Sequence, residues 1–538
     1  MKLFALAMCL ALTFLVTGCS KIGTSSAPPN TLRIGVQITP NSLNPILASN
    51  TIETFIDGLF SSELVTLNDH GKEVPDLATT VPSLKNGGIS HDGLRITYHL
   101  RKNARWQDGV PVTSHDVAFT WRAIMNNANN VVSHTGYDQV DRVRTPDAHT
   151  VVFVLKRPFA PFVQTVFSES DSPMRILPAH LLASKPNLNH IKFNSKPIGS
   201  GPYQVVRWIR GDRIELVANA AYYRGKPKIP KIIIRIIPNA STLEAETRAG
   251  NIDIAHEIST TTAHDLSSDA DVRILHVEAP EYFGIAFNTT HPVLRHRSVR
   301  RALALAIDSH ALIAKFFHGY GTQARADLSP FSWGYDPSLP RRPFDPALAG
   351  RLLDAAGWHM GADGIRRKGT TPLDFVFVYG QGSTAAQDLV VTVASMLRAI
   401  GVKTELKSYD YSLPYATIQE NGILNGGKFD LAYYAWVSGS DPDNSSAFRC
   451  DAIPPAGNNV WRYCSPEIDK AENAALATYS HALRKRAYAK IEALLMQDVP
   501  LDFFAYPGLT YALTRRVHGF APNGVSEGWN AQDWSLSP

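Results

Sequence analysis

Hydrophobic positions along the chain follow three patterns. The first is an unbroken run: Leu3 to Val16 is almost wholly apolar, follows a single Lys2 and leads into Thr17-Gly18-Cys19. Its 14 residues fall short of the about 20 that a membrane-spanning helix needs and suit a secretory leader. The second is alternation. "GLRITYHLR" sets Leu94, Ile96, Tyr98 and Leu100 on one side of a strand, and "TLRIGV", "HTVVFVL", "YQVVRW", "DRIELVAN" and "KIIIRII" also read as strands. The third is helical spacing. "SVRRALALAIDSHALI" places Val299, Ala302, Leu303, Ala306 and Ile307 on one face, and "STAAQDLVVTVASMLRAIG" does the same with Leu389, Val390, Val393, Met396, Leu397 and Ile400 before stopping at Gly401. "TSHDVAFTWRAIM" opens with a capping box of Thr113 and Asp116, and "RKRAYAKIEALLMQDVP" ends before Pro500. These signals interleave without a repeat or a long linker. They predict a mixed α/β or α+β body whose chain passes between lobes more than once.

Composition narrows the class. At 538 residues the chain is long enough for two to four domains, and 44% hydrophobic with 19% charged residues describes a globular protein. A net charge of +5, with no basic block or basic helix, argues against nucleic acid as a partner. Cys9 would leave with the leader, so Cys450 and Cys464 are the only cysteines of the mature body besides Cys19. In an exported, oxidising setting a disulfide is their natural assignment, the alternative being two buried thiols. Such a bridge would contribute about 3 kcal/mol by the chain-entropy model.

No catalytic pattern stands out. "GILNGGKF" matches a phosphate-binding loop at Gly422, Gly427 and Lys428, but Phe429 stands where a Ser or Thr must bind magnesium. There is no G-x-S-x-G elbow, no H-E-x-x-H pair and no histidine cluster; His291 and His296 are spaced wrongly for one helical face. The expectation is a protein that is not an enzyme, with no catalytic residue, cofactor or metal.

Val16-Thr17-Gly18-Cys19 resembles a bacterial lipobox, with Val16 in place of the usual leucine. The resemblance implies a leader over 1–18, lipidation of Cys19 as the first mature residue, and a flexible tether over 19–30. The protein would be exported, on the periplasmic or cell-surface side, held to membrane lipid through acylated Cys19. Two or three acyl chains make such anchoring stable, where one binds marginally.

A second resemblance covers about 450 residues. "LRKNARWQDGVPVTSHDVAFTW" presents Leu100-Arg101, Trp106, Asp108-Gly109, Pro111, Thr113 and Asp116-Val117 in the order found in extracellular solute-binding proteins of the dipeptide/oligopeptide/nickel class, which serve ABC importers. "VPDLATTVPSL" precedes it. "ILPAHLL", "PIGSGPYQVVRW", "NAAYYRGKPKIPKIIIRII", "AGNIDIA", "YFGIAFNTTHPVLRHRSVRRALALAID", "LLDAAGW", "FDLAYYAWVSGSDPDN" and "DVPLDFFAY" follow collinearly. As sequence marks, Asp108-Gly109 reads as a tight turn, and Gly199 and Gly201-Pro202 as a bend before a strand.

The resemblance implies an α/β, two-lobed periplasmic-binding-protein-like fold of class II, with an extra inserted subdomain and the ligand cleft between the lobes. Lobe I would comprise 31–65, 191–280 and a C-terminal return over 506–538, with the insert at 66–190; lobe II would span 281–505. A monomer would capture a peptide or peptide-like small solute by hinge closure and deliver it to an ABC permease. The alternative is a surface lipoprotein that uses the cleft for sensing, adhesion or regulation. Family membership also implies the Cys450–Cys464 bridge. The ligand-lining stretches implied are the loop with Gln37 and Thr39, the segment around Tyr282, and "YYAWVSGSD" with Tyr434, Trp436, Ser438 and Asp441.

Two family anchors are absent. Peptide-binding members place an Asp three residues after the Trp to pair with the ligand's ammonium; here Gly439 stands there and Asp441 is the next acid. They place an Arg for the ligand carboxylate before the "STAAQDLVV" helix; Val378-Tyr379-Gly380-Gln381-Gly382 has none. An enclosed ammonium without a counter-charge costs several kcal/mol. The expectation is therefore weak binding of ordinary short peptides with free N-termini, unless Asp441 takes over the ammonium. Replacing Cys19 by Ser is expected to abolish palmitate labelling and release the protein from membranes; unchanged labelling would reject the lipid anchor.

Overall fold

The computed structural model describes residues 30–537 apart from Asp171 and Tyr411; the leader, Cys19 and the tether up to residue 29 lie outside the described residues. Strand Thr31–Val36 buries Leu32, Ile34 and Val36 almost completely and pairs in parallel with Lys231–Ile236, placing Ile34 beside Ile234. Helix Thr51–Phe60 covers this ladder with Ile52, Phe55, Ile56, Leu59 and Phe60. The sheet so nucleated has seven strands, in the order Val272–Val277, Leu509–Thr514, Ile254–Ala255, Thr31–Val36, Lys231–Ile236, Arg213–Ala218 and Tyr203–Ile209. It draws on the start, middle and end of the chain.

A second sheet orders Thr322–Gln323, Leu501–Tyr506, Glu281–Phe287, Leu431–Val437, Asp374–Gly380 and Lys403–Tyr409. Both its faces are covered. Ile285, Phe287, Phe375, Phe377 and Leu431 join the core of helices Arg297–Leu305 and Thr384–Ala399. Tyr282, Ala286, Ala432, Tyr434 and Phe503 share a core with helices Pro466–Leu476 and His481–Asp498. Each sheet carries one lobe of a two-lobed α/β fold. The chain passes from the first sheet to the second through residues 278–280 and back through residues 507–508. A third, three-stranded sheet, Arg95–His99, Thr150–Leu155 and Val140–Asp147, has a core of its own around Tyr98, Trp106 and Phe153.

Several sequence expectations are met locally and one is revised. Asp116 accepts from the Thr113 N–H at 2.8 Å at the head of helix Ser114–Ile124. Helix Thr384–Ala399 is followed by Gly401 at φ +86°. The run after Ser298 is two helices, not one: Arg297–Leu305 ends, and Asp308 caps Ser309–Phe316 by accepting from the Ala311 N–H at 3.0 Å. Asp308 offers the backbone a competing partner that apolar spacing does not report. Cys450 and Cys464 form a disulfide with Cα atoms 4.4 Å apart. Its loop carries Trp461, which is fully buried against Phe448 and Tyr434.

Gly199 and Gly201 do more than bend the chain. The Gly201 N–H donates to the Phe60 carbonyl at 2.8 Å, so this segment lies directly on the end of helix Thr51–Phe60. A Cβ on Gly199 would overlap the Phe60 carbonyl oxygen. Gly199→Ala is expected to destabilise the protein by about 3 kcal/mol, the upper range for overpacking a rigid contact. Urea denaturation checks this, and a midpoint equal to wild type would refute the close approach.

Candidate functional site

Two chambers lie between the lobes. The first, about 490 Å³, takes its walls from residues 48–51 and 54 of the first lobe, from Ser133, Thr135, Gln164 and Ser170, and from residues 436–441 and 443–447 of the second lobe. Buried Glu53 fixes the first wall. Its carboxylate accepts from the backbone N–H groups of Asn41 at 2.5 Å, Ser42 at 3.2 Å and Ser49 at 2.6 Å, while Asn50 caps the helix. These bonds hold Ser49, Asn50 and Thr51 at the cleft. On the opposite wall, Trp436 lies next to the end of strand Leu431–Val437, half-buried and parallel to Tyr434 at 6.2 Å between ring centres. Ser438 follows it, its N–H donating to the Pro280 carbonyl at 2.6 Å.

The structure relocates several residues expected to touch ligand. Trp436, Ser438 and Asp441 line the first chamber. Asp441 is not available for an ammonium: Arg484 grips it with two bonds, at 2.7 and 2.5 Å, and both side chains are almost wholly buried. Tyr282 and Tyr434 are 1% exposed and belong to the core behind Trp436. Tyr282 packs edge-on against Phe503 and Tyr434 edge-on against Trp461. Gln37 is half-buried and Thr39 exposed, and neither contributes to the walls of the two chambers, which use residues 48–51 and 54 instead.

The second chamber, about 670 Å³, is more apolar. Phe283, Phe316, Phe317, Tyr379, Tyr433 and Ala435 line it, together with Gly380, Gln381 and the N-terminus of helix Thr384–Ala399. Gln381 stands in the stretch where an Arg was sought. Glu257 and Glu281 face this chamber, one from each lobe. They sit where the chambers meet: the Thr51 hydroxyl, of the first chamber, donates to Glu257 at 3.2 Å, and Glu281 pairs in register with Val437, also of the first chamber. Strand alternation explains the placement. If Tyr282 faces the core, its neighbours Glu281 and Phe283 face the other way. Sequence reading noted Tyr282 and passed over the acid beside it.

Burial, reinforced by the negative charge of Glu257, pushes the Glu281 carboxyl up to about 8. Burial raises Glu257 as well, against the opposing pull of His256. His256, Glu257 and Glu527 bring potential metal-ligand atoms within 4.8 Å of one another. Two of the three already bind each other: His256 Nε2 lies 2.8 Å from one Glu527 oxygen, and the Tyr511 hydroxyl donates to the other. Burial works against the His256 charge, but Glu527 outweighs it and raises the imidazole's pKa. His256 and Glu527 are thus a satisfied pair behind the chamber wall, while Glu257 faces the chamber.

A folded-state pKa raised to about 8 means that the stabilisation from protonated Glu281 is complete below the ordinary carboxyl range and lost as pH rises through 8. Glu281→Gln, which cannot ionise, is expected to lose less stability than wild type between pH 5 and 8. Thermal unfolding at each pH measures this, and parallel profiles would show that Glu281 ionises freely.

Comparisons with known proteins agree with this architecture. The oligopeptide-binding protein AppA of Bacillus subtilis is 25% identical over 551 residues, covering 99% of this chain and 98% of that protein. Protein XP55 of Streptomyces lividans is 28% identical over 511 residues, covering 94% and 88%. The crystal structure of NikZ from Campylobacter jejuni, in complex with Ni(L-His), superposes with a TM-score of 0.78 at 27% identity, covering 95% of this chain and all of that one. Residues 72–451 match the family described as bacterial extracellular solute-binding proteins, family 5 Middle, and the chain belongs to that family.

Proposed function

We propose that the protein is the substrate-binding component of an ABC importer, which captures a peptide or peptide-like solute between its lobes and presents it to a membrane permease. The observation that carries this reading is a pair of adjoining chambers whose walls come from both lobes, with residues 278–280 and 507–508 joining the lobes. Two short crossings side by side suit a hinge. A solute that touches both walls favours the closed arrangement over the open one by its differential affinity. AppA's description as an oligopeptide-binding protein supports a peptide-like cargo. The reading includes a monomer that performs no chemistry, export to the cell exterior, and anchoring through lipidated Cys19. Lobe I would span 31–65, 191–280 and 506–538 with its insert at 66–190, and lobe II 281–505.

Trp436 is the residue whose loss should be felt most, because it offers a flat apolar surface inside a polar chamber. Native mass spectrometry of protein purified without refolding is expected to reveal a retained small molecule that leaves on denaturation. Adding it back to stripped protein should contract the particle in solution scattering. Trp436→Ala should weaken its binding about tenfold, a size usual for an aromatic anchor. A scattering profile unaltered by the solute would reject closure.

A further inference from the structure

The walls of the cleft have a charge of one sign. Among the described residues that line the two chambers, none is Lys, Arg or His, and four are acids: Glu257, Glu281, Asp441 and Asp443. Arg484 neutralises Asp441. Asp443 accepts from the Ser445 N–H, and burial raises its pKa. Among the described residues, neither Glu257 nor Glu281 forms a salt bridge with a Lys, Arg or His, and the hydrogen-bond partner of Glu257 is the Thr51 hydroxyl.

The cations nearby are occupied elsewhere. His256 is committed to Glu527, His276 shares a hydrogen bond with Thr510 at 2.9 Å, and Lys315 Nζ sits over the Phe316 ring and contacts Thr392. Burial lowers the His276 pKa, which favours its neutral form.

A second feature of the cleft asks for a donor. Asn444, 8% exposed, lines the first chamber. Its amide nitrogen donates to Asp327 Oδ2 at 2.5 Å, which fixes the amide's orientation, and its Oδ1 is buried with no partner. Unpaired buried acceptors are costly, and a ligand N–H would satisfy this one. Glu257, Glu281 and Asn444 are thus three acceptors in search of donors.

We infer that the cleft selects solutes bearing a positive charge, seating a protonated amine or guanidinium between Glu257 and Glu281 with its apolar stem against Phe283, Phe317 and Tyr379. This deepens the proposed function and rests on it. The aromatic walls add to the preference, since ring faces attract cations. A free carboxylate in the same space meets no basic side chain and two acids. Position along the cleft also changes: the counter-charge that is missing beside Trp436 is supplied from the junction of the chambers. An arginine side chain is a fitting probe, because its guanidinium brings five donors to carboxylates that accept two-pronged contacts.

The test is calorimetry of the stripped wild-type protein with a panel of alanine-flanked, C-terminally amidated and N-acetylated tripeptides. Their central residue is arginine, its uncharged near-isostere citrulline, or glutamate. The arginine peptide is expected to bind about tenfold or more tightly than the citrulline peptide, with the glutamate peptide weakest, as for a charge enclosed with an ionic partner. In Glu257→Gln and Glu281→Gln proteins, singly and together, that advantage should shrink while citrulline binding persists; near-equal shape makes these variants mild, and the wild-type comparison needs none of them. Equal binding of the arginine and citrulline peptides, or a preference for glutamate, overturns the charge assignment and leaves peptide binding intact. An arginine preference that survives in the double variant moves the cation seat elsewhere and overturns it too. Failure of every peptide in the panel, with the protein folded, overturns the peptide-binding reading and the assignment built on it.

Discussion

A charge shut between two protein lobes must be balanced by the walls that close on it. Outside, water supplies the balance; inside, an uncompensated ion costs several kcal/mol, more than most contacts return. Everything distinctive about this cleft follows from how its own charges are settled. Asp441, beside the Trp436 wall, is settled by Arg484 from helix His481–Asp498, so that wall presents a neutral, hydroxyl- and amide-rich surface. Among the described residues Glu257 and Glu281 form no salt bridge, and His256, which pulls on Glu257, is already paired with Glu527, so an enclosed cation would gain at the junction of the chambers.

The scaffold makes these positions firm. Glu53 ties the loop before helix Thr51–Phe60 to that helix, which brings Thr51 to Glu257. The Cys450–Cys464 bridge closes the segment that carries Trp461, and Trp461 supports Tyr434, which lies flat behind Trp436. Chamber walls are therefore the outer faces of packed cores and not free loops. Such support is what holds a recognition surface to a defined shape before ligand arrives.

The sequence was legible where burial is one-sided. Strands Arg95–His99 and Thr150–Leu155 alternate buried and less buried residues, and alternation found them. Strands Leu431–Val437 and Leu501–Tyr506 belong to a sheet covered on both faces, and Leu501–Tyr506 is buried at every position. A two-sided strand has no polar phase to read. Their place in the fold came through the family resemblance. The site divides in the same way. Trp436 was found because it is a rare residue in a recognisable stretch; Tyr434 of the same stretch and Tyr282 of another belong to the core. Glu257 and Glu281 lie in unremarkable contexts, "AHEIS" and "APEYFG", and only the meeting of two lobes makes them neighbours. Asp441 misled because its partner, Arg484, is 43 residues away.

The two glutamates also bear on why an empty cleft would not stay shut. If the lobes open as proposed, Glu281 would return to water, where a glutamate ionises near pH 4.3. Enclosed as in this structure, it is held to about 8, so the proposed closure at neutral pH without a cation would require it to take up a proton, against its preference in solution. A cation entering with the lobes removes that requirement, because the carboxylate keeps its charge and gains a partner. Under the proposed closure the same residue would raise the cost of closing on nothing and lower the cost of closing on the right solute. That difference between the two states, and not affinity for either alone, is what lets a ligand drive closure.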